Sequence, residues 1–126
     1  MIDEWIVDKA SVDRAAAIPG VAFVKFKLMK AGGFASLCDL IGHARDLGLK
    51  IVLGNGVASD VGCLGEAVVA RRLGLDLAGE MNGFLKTRQR LTAALAVQNG
   101  NMKVKTLGVS PDQGVLSETR VQAVQA

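Results

Sequence analysis

Residues 24–33 read Val-Lys-Phe-Lys-Leu-Met-Lys-Ala-Gly-Gly: an apolar run with lysines at 25, 27 and 30 that ends in two glycines. With Val-Ala-Phe ahead of it, the stretch is rich in β-branched and aromatic residues and reads as a strand, turned by residues 30–33. Successive side chains of a strand point to opposite faces, so Lys25 and Lys27 share one face. Two ammonium groups on one face of a strand otherwise fit for burial require a reason, and the rest of the chain supplies the context for one.

Working outward, an order of strand, glycine-rich turn and helix repeats. Met-Ile-Asp-Glu-Trp-Ile-Val opens the chain as a short strand, and a helix follows from Ser11, a suitable N-cap, until Pro19-Gly20 stops it. After the lysine strand, Leu37, Leu40, Ile41, Ala44 and Leu47 recur at helical spacing before Gly48. Residues 49–56 form a third, continuous apolar strand ending in Gly-Asn-Gly, and residues 59–74 the next helix. Residues 75–83 are expected as a fourth short strand and residues 84–99 as a further helix. Beyond residue 100 a polar tail holds one short strand, residues 102–107, and a weak helix, residues 118–125. Strands alternating with helices predict an α/β fold with a parallel sheet and helices outside it, the crossovers right-handed. Residues 1–100 form the main unit and 101–126 the tail.

The 126 residues suffice for one small domain with a core, and half of them are hydrophobic, which points to elements buried on two sides or to a surface that expects a partner. No apolar run approaches the ~18 residues of a membrane span. The N-terminus lacks the basic segment and apolar stretch of a signal peptide, so a cytoplasmic protein is expected. The net charge of +3 is mild, with basic residues scattered and not interleaved with aromatics. That pattern fits solvated helix faces better than a nucleic-acid surface. Cys38 and Cys63 lie in apolar helical contexts and read as reduced packing residues; one histidine and no Cys-x-x-Cys exclude a zinc constellation.

In parallel α/β folds, functional residues gather at the C-terminal ends of strands. Here those ends carry Asp3-Glu4, Lys27, Asn55 and Glu80. A carboxylate suits Mg²⁺, and a lysine whose pKa is lowered by a nearby metal and partial burial serves as a base for a proton alpha to a carboxylate. The plainer alternative stands beside it: Asp3 as a surface acid and Lys27 snorkelling out of its strand. An anion held by backbone amides at Gly-Asn-Gly or Lys-Ala-Gly-Gly is a weaker option, since neither stretch is a P-loop or a dinucleotide fingerprint.

Ile-Asp-Glu-Trp-Ile, Val-Lys-Phe-Lys-Leu-Met-Lys-Ala-Gly-Gly, Ile-Val-Leu-Gly-Asn-Gly and Ala-Gly-Glu-Met-Asn-Gly-Phe-Leu, in this order, resemble the C-terminal half of an enolase-superfamily barrel of the muconate lactonizing enzyme and mandelate racemase type. The resemblance runs from about residue 2 to residue 84 and more weakly to about 115. It implies a partial TIM barrel: four βα units corresponding to strands five to eight. It also implies Asp3 as a Mg²⁺ ligand, Lys27 as the catalytic base, Asn55 in the seventh-strand turn as a substrate-binding residue and Glu80 as the eighth-strand acid. Mg²⁺ is then the cofactor and a small carboxylate the substrate, in a racemase, epimerase or cycloisomerase reaction. The family's capping domain, second-strand Lys-x-Lys and two further metal ligands belong ahead of Asp3, so the chain is expected to be a fragment inactive alone. A half-barrel leaves edges and an inner face to cover, by self-association or by a complementary half. The alternative is a non-catalytic, self-associating α/β module or truncated relic. Lys25 has no role in this scheme; its ammonium is expected to reach water through the open face of the sheet.

Overall fold

A computed structural model describes residues 1–88 and 90–105. Helix α1, Lys9–Ala16, begins at Asp8, whose carboxylate accepts from Ser11 N at 2.7 Å while Asp8 N donates to Ser11 Oγ at 3.0 Å. This is a reciprocal capping box. Asp8 rather than Ser11 is therefore the cap, and Ser11 is fully buried one turn in. Strand β1, Phe23–Phe26, gives way after Lys27 to the single turn α2, Leu28–Ala31, which ends at Gly32 in the left-handed region, φ 77°. Helix α3, Phe34–Asp46, buries Leu37, Leu40, Ile41 and Ala44, the spacing expected of one helical face. Strand β2, Lys50–Leu53, and helix α4, Asp60–Arg72, follow, the latter capped by the Ser59 hydroxyl.

Strands β1 and β2 pair in parallel, Phe23 opposite Lys50 and Phe26 opposite Leu53. On the other side of β1, Ile2 bridges to Val24, with Ile2 N donating to Phe23 O and Lys25 N to Ile2 O. On the other side of β2, Glu80 N donates to Leu53 O at 3.1 Å. Four backbone segments thus lie side by side in the order Ile2, β1, β2, Glu80. The observed fold is α/β with a small parallel sheet. Val24, Phe26, Ile51 and Leu53 pack with Val12, Ala15 and the buried stripe of α3 in the main core. Lys25 and Lys27 take the opposite face, as strand alternation requires.

Several expected elements differ. The opening strand shrinks to one bridge at Ile2, because the chain turns at once, with Ile6 N donating to Asp3 O. Residues 75–83 hold no strand: only one backbone bond reaches β2. The helix expected over 84–99 is absent. A 3-10 turn, Gly83–Lys86, is followed instead by β3, Leu95–Gln98, and β4, Asn101–Val104, which pair antiparallel. The cause is Asn99-Gly100, with φ of 52° and 74°. Two successive positive φ values are the requirement of a two-residue hairpin turn, and Asn-Gly meets it at least cost. The hairpin runs across residue 100. Its Leu95 joins Cys63, Ala67 and Phe84 in a second, smaller cluster. The tail strand is seen as Asn101–Val104; the helix expected over 118–125 lies outside the described residues. No described helix is long and apolar enough to cross a membrane.

Candidate active site

Around the C-terminal ends of β1 and β2 three of the expected residues come together in one charged cluster. Asp3 follows Ile2, Lys27 ends β1, and Glu80 lies against the end of β2. Lys27 Nζ stands 2.9 Å from Asp3 Oδ1 and hydrogen-bonds the Glu4 carboxylate. Lys25 Nζ stands 3.3 Å from Asp3 Oδ2 and hydrogen-bonds Glu80 Oε2. Lys30 Nζ completes the set, 2.6 Å from Glu4 Oε2 and donating also to Glu4 O at 2.5 Å. Three lysines face three carboxylates, so the cluster is neutral.

Gly-Asn-Gly shapes the place of Glu80. Gly54 has φ 137°, and a Cβ there would fall 2.7 Å from the backbone of Glu80; a Cβ at Gly56 would fall 2.6 Å from Glu80 Oε1. The two glycines let both the backbone and the carboxylate of Glu80 lie against β2's end. Lys86 Nζ donates to Gly56 O at 2.7 Å and adds positive charge beside Glu80. Asn55, between them, is buried. Its Oδ1 accepts from Val57 N at 3.0 Å and its Nδ2 donates to Met29 Sδ, so its side chain closes its own turn and ties it to α2.

The electrostatics follow from the pairing. The hydrogen bond to Glu4 and then the close Asp3 carboxylate hold the Lys27 pKa above its ordinary range. The lowering expected from the sequence was that beside a metal. Burial would lower it, but two carboxylates outweigh the small desolvation of this group. For Lys25, burial is the largest single influence and pulls the pKa down; the bonds to Glu80 and Asp3 together overcome it and raise it. Glu4 is lowered to about 2 by Lys27 and Lys30, and Glu80 is lowered by Lys25. At neutral pH Lys25, Lys27, Glu4 and Glu80 are therefore charged.

The expectation for Lys25 also fails. Its side chain is 6% exposed and meets carboxylates rather than water. The shared face with Lys27 was legible in the sequence; the partners were not, because Asp3 and Glu80 come from segments 77 positions apart (80 − 3). Glu4 was singled out beside Asp3 at its strand end but given no role, and Lys86 was missed for the same reason. So was Glu66 on α4, which is 1% exposed, accepts from Leu28 N at 3.0 Å and has its other oxygen unpartnered. Burial raises its pKa against the hydrogen bonds from Leu28 and Asn55 amides.

Mg²⁺ is tested by the donor set. Among the described residues no three carboxylate, histidine or cysteine side chains converge on one point. Asp3 Oδ1 is buried and makes no aligned hydrogen bond, yet it lies beside the Lys27 ammonium, and Oδ2 faces Lys25. A hard dication draws on several oxygen ligands, and this site offers one carboxylate flanked by two cations. These residues alone do not fit Mg²⁺.

No protein-family model and no curated protein matches the chain. A crystal structure of a member of the enolase superfamily from Listeria innocua Clip11262 matches with a TM-score of 0.69 and 21% identity, over 81% of this chain and 28% of that one. The chain therefore spans little more than a quarter of that protein's length. At that identity the likeness is one of fold: the α/β arrangement of this chain is that of part of an enolase-superfamily protein.

Proposed function

We propose that the chain contributes the C-terminal half of an enolase-superfamily active site, of the muconate lactonizing enzyme and mandelate racemase type, acting on a small carboxylate substrate. Ile2, β1, β2 and the segment at Glu80 are read as barrel strands five to eight. The observation that carries the proposal is the convergence of Asp3, Lys27 and Glu80 at the C-terminal end of the parallel pair β1 and β2, in a chain whose fold is similar to part of an enolase-superfamily protein.

The roles follow from the residues present. Lys27 Nζ is the atom that would take a proton alpha to the substrate carboxylate. It has first to lose a proton, and Glu4 and Asp3 oppose that loss. Glu4 is 74% exposed, so an incoming carboxylate can displace it from Lys27 at small cost. Glu80 and Lys25 fix the far side of the site. Asn55 shapes the Gly-Asn-Gly loop, and its second amide N–H is the group proposed to orient substrate. Mg²⁺ enters only with ligands from outside these residues; when bound it would stabilise the enediolate. By itself the chain is proposed to be inactive.

The experiment is reconstitution with a polypeptide carrying a barrel's first four strands. Metal binding and α-proton exchange that appear only in the pair, and vanish with Asp3→Ala and Lys27→Ala respectively, are expected. A pair with no metal dependence sinks the proposal. The neutral, fully ion-paired cluster favours a second reading, a self-associating module without chemistry. That reading predicts an oligomer whose sedimentation is unchanged by Lys27→Ala, with no exchange in any pairing.

A further inference from the structure

Lys25 takes no part in the proton transfer proposed above, yet it is the more deeply buried of the two strand lysines. It lies at the middle of three adjacent segments: Ile2, which leads to Asp3, pairs on one side of β1, and β2, against which Glu80 lies, pairs on the other. Its ammonium therefore reaches a carboxylate from each side, Asp3 Oδ2 at 3.3 Å and Glu80 Oε2 in a hydrogen bond. As a like charge Asp3 opposes ionisation of Glu80, and the bond from Lys25 outweighs it, so the Glu80 carboxyl lies below its ordinary range. Holding carboxylates together is the structural task a divalent ion performs in other sites.

The same geometry opposes a real ion. A dication on Asp3 would share a carboxylate whose Oδ2 faces Lys25 and whose Oδ1 lies 2.9 Å from Lys27. With 6% of its side chain exposed, Lys25 has no ready path into water. Repulsion between cations a few ångströms apart in such a setting is strong. We infer that Lys25 is a built-in cation, occupying the place of a divalent ion between Asp3 and Glu80 and excluding one from that pair. The inference stands on these ion pairs and does not require the enzyme reading.

The test uses the full chain alone, with Mn²⁺ as probe, free Mn²⁺ being followed by electron paramagnetic resonance. Wild type and Lys25→Arg are expected to bind poorly. Lys25→Met and Lys25→Gln are expected to bind at least about tenfold more tightly, as removal of a close cation requires, and Asp3→Asn added to either removes the gain. A wild-type affinity equal to that of Lys25→Met, or no gain in variants with native circular dichroism, overturns the inference. A second measurement needs no variant: amine labelling of wild type, read by mass spectrometry. Lys25 is expected to stay protected as Mn²⁺ is added, and labelling that rises with Mn²⁺ overturns the inference. Failure here leaves the reconstitution experiment open, and failure there leaves this one open.

Discussion

At the level of single residues, Glu4 reports the state of the cluster. It is exposed, yet Lys27 and Lys30 hold its carboxyl near a pKa of about 2 instead of the ordinary 4.5. A depressed folded-state pKa adds stability above the unfolded value, and that stability drains away as pH falls from 4.5 towards 2. An NMR titration of the Glu4 carboxyl carbon in wild type should therefore show a midpoint near 2, and in a Lys27→Met, Lys30→Met double variant one restored towards 4.5. A wild-type midpoint in the ordinary range would mean that the lysines are not engaged as described. Much of this site was legible beforehand: strand alternation placed Lys25 and Lys27 on one face, and strand-end position singled out Asp3 and Glu80. What was not legible was pairing, which depends on which segments become neighbours. The fall expected for the Lys27 pKa was that beside a metal; from this chain's own residues, proximity to Glu4 and Asp3 acts in the other direction.

At the level of elements, Glu66 does for the loops what hydrogen-bonded ladders do for the strands. From the buried face of α4 it accepts from the first amide of α2 and, less directly, from the amide of Asn55, so one carboxylate anchors the turns after β1 and β2. Burial raises its pKa, so the native state binds this proton more tightly than the unfolded chain does, and stability falls as pH rises from 4.5 through the raised value. Glu66→Gln keeps an acceptor for Leu28 N and removes that penalty. It should be at least as stable as wild type to urea at neutral pH, with a flatter dependence above pH 4.5. Glu66→Ala, which orphans a buried amide, should lose about 1–3 kcal/mol. If Gln loses as much as Ala, the ionised form is needed, and the nearby charges of Lys25 and Lys27 would be its support. Helical periodicity located α3 well because its buried stripe is regular, and a stopping glycine marked the end of α4. It failed over residues 84–99, where alanines and leucines looked helical and Asn99-Gly100 carried the stronger, overlooked instruction to form a hairpin.

At the level of the whole molecule, the parallel array stops at Ile2 on one side and at a single backbone bond from Glu80 on the other. Among the described residues no further strand pairs with either edge, and such edges are of the kind that recruit another strand. Exposed apolar side chains follow these segments and form a rim: Met29 in α2 is 72% exposed, Val57 after β2 82% and Leu85 in the 3-10 turn 56%. Edges at both sides and apolar side chains at one end predict association of the purified chain with itself. Sedimentation equilibrium should then give an average mass that rises with concentration, as mass action requires. Val57→Glu, which puts charge on the rim without touching the core, tells the two surfaces apart. Weaker association would locate the contact at the rim, whereas unchanged association would assign it to the strand edges, where backbone pairing is indifferent to that side chain. A wild-type chain that stays monomeric at every concentration would show that neither surface drives assembly, and the case for a complementary half would then rest on the charged cluster alone.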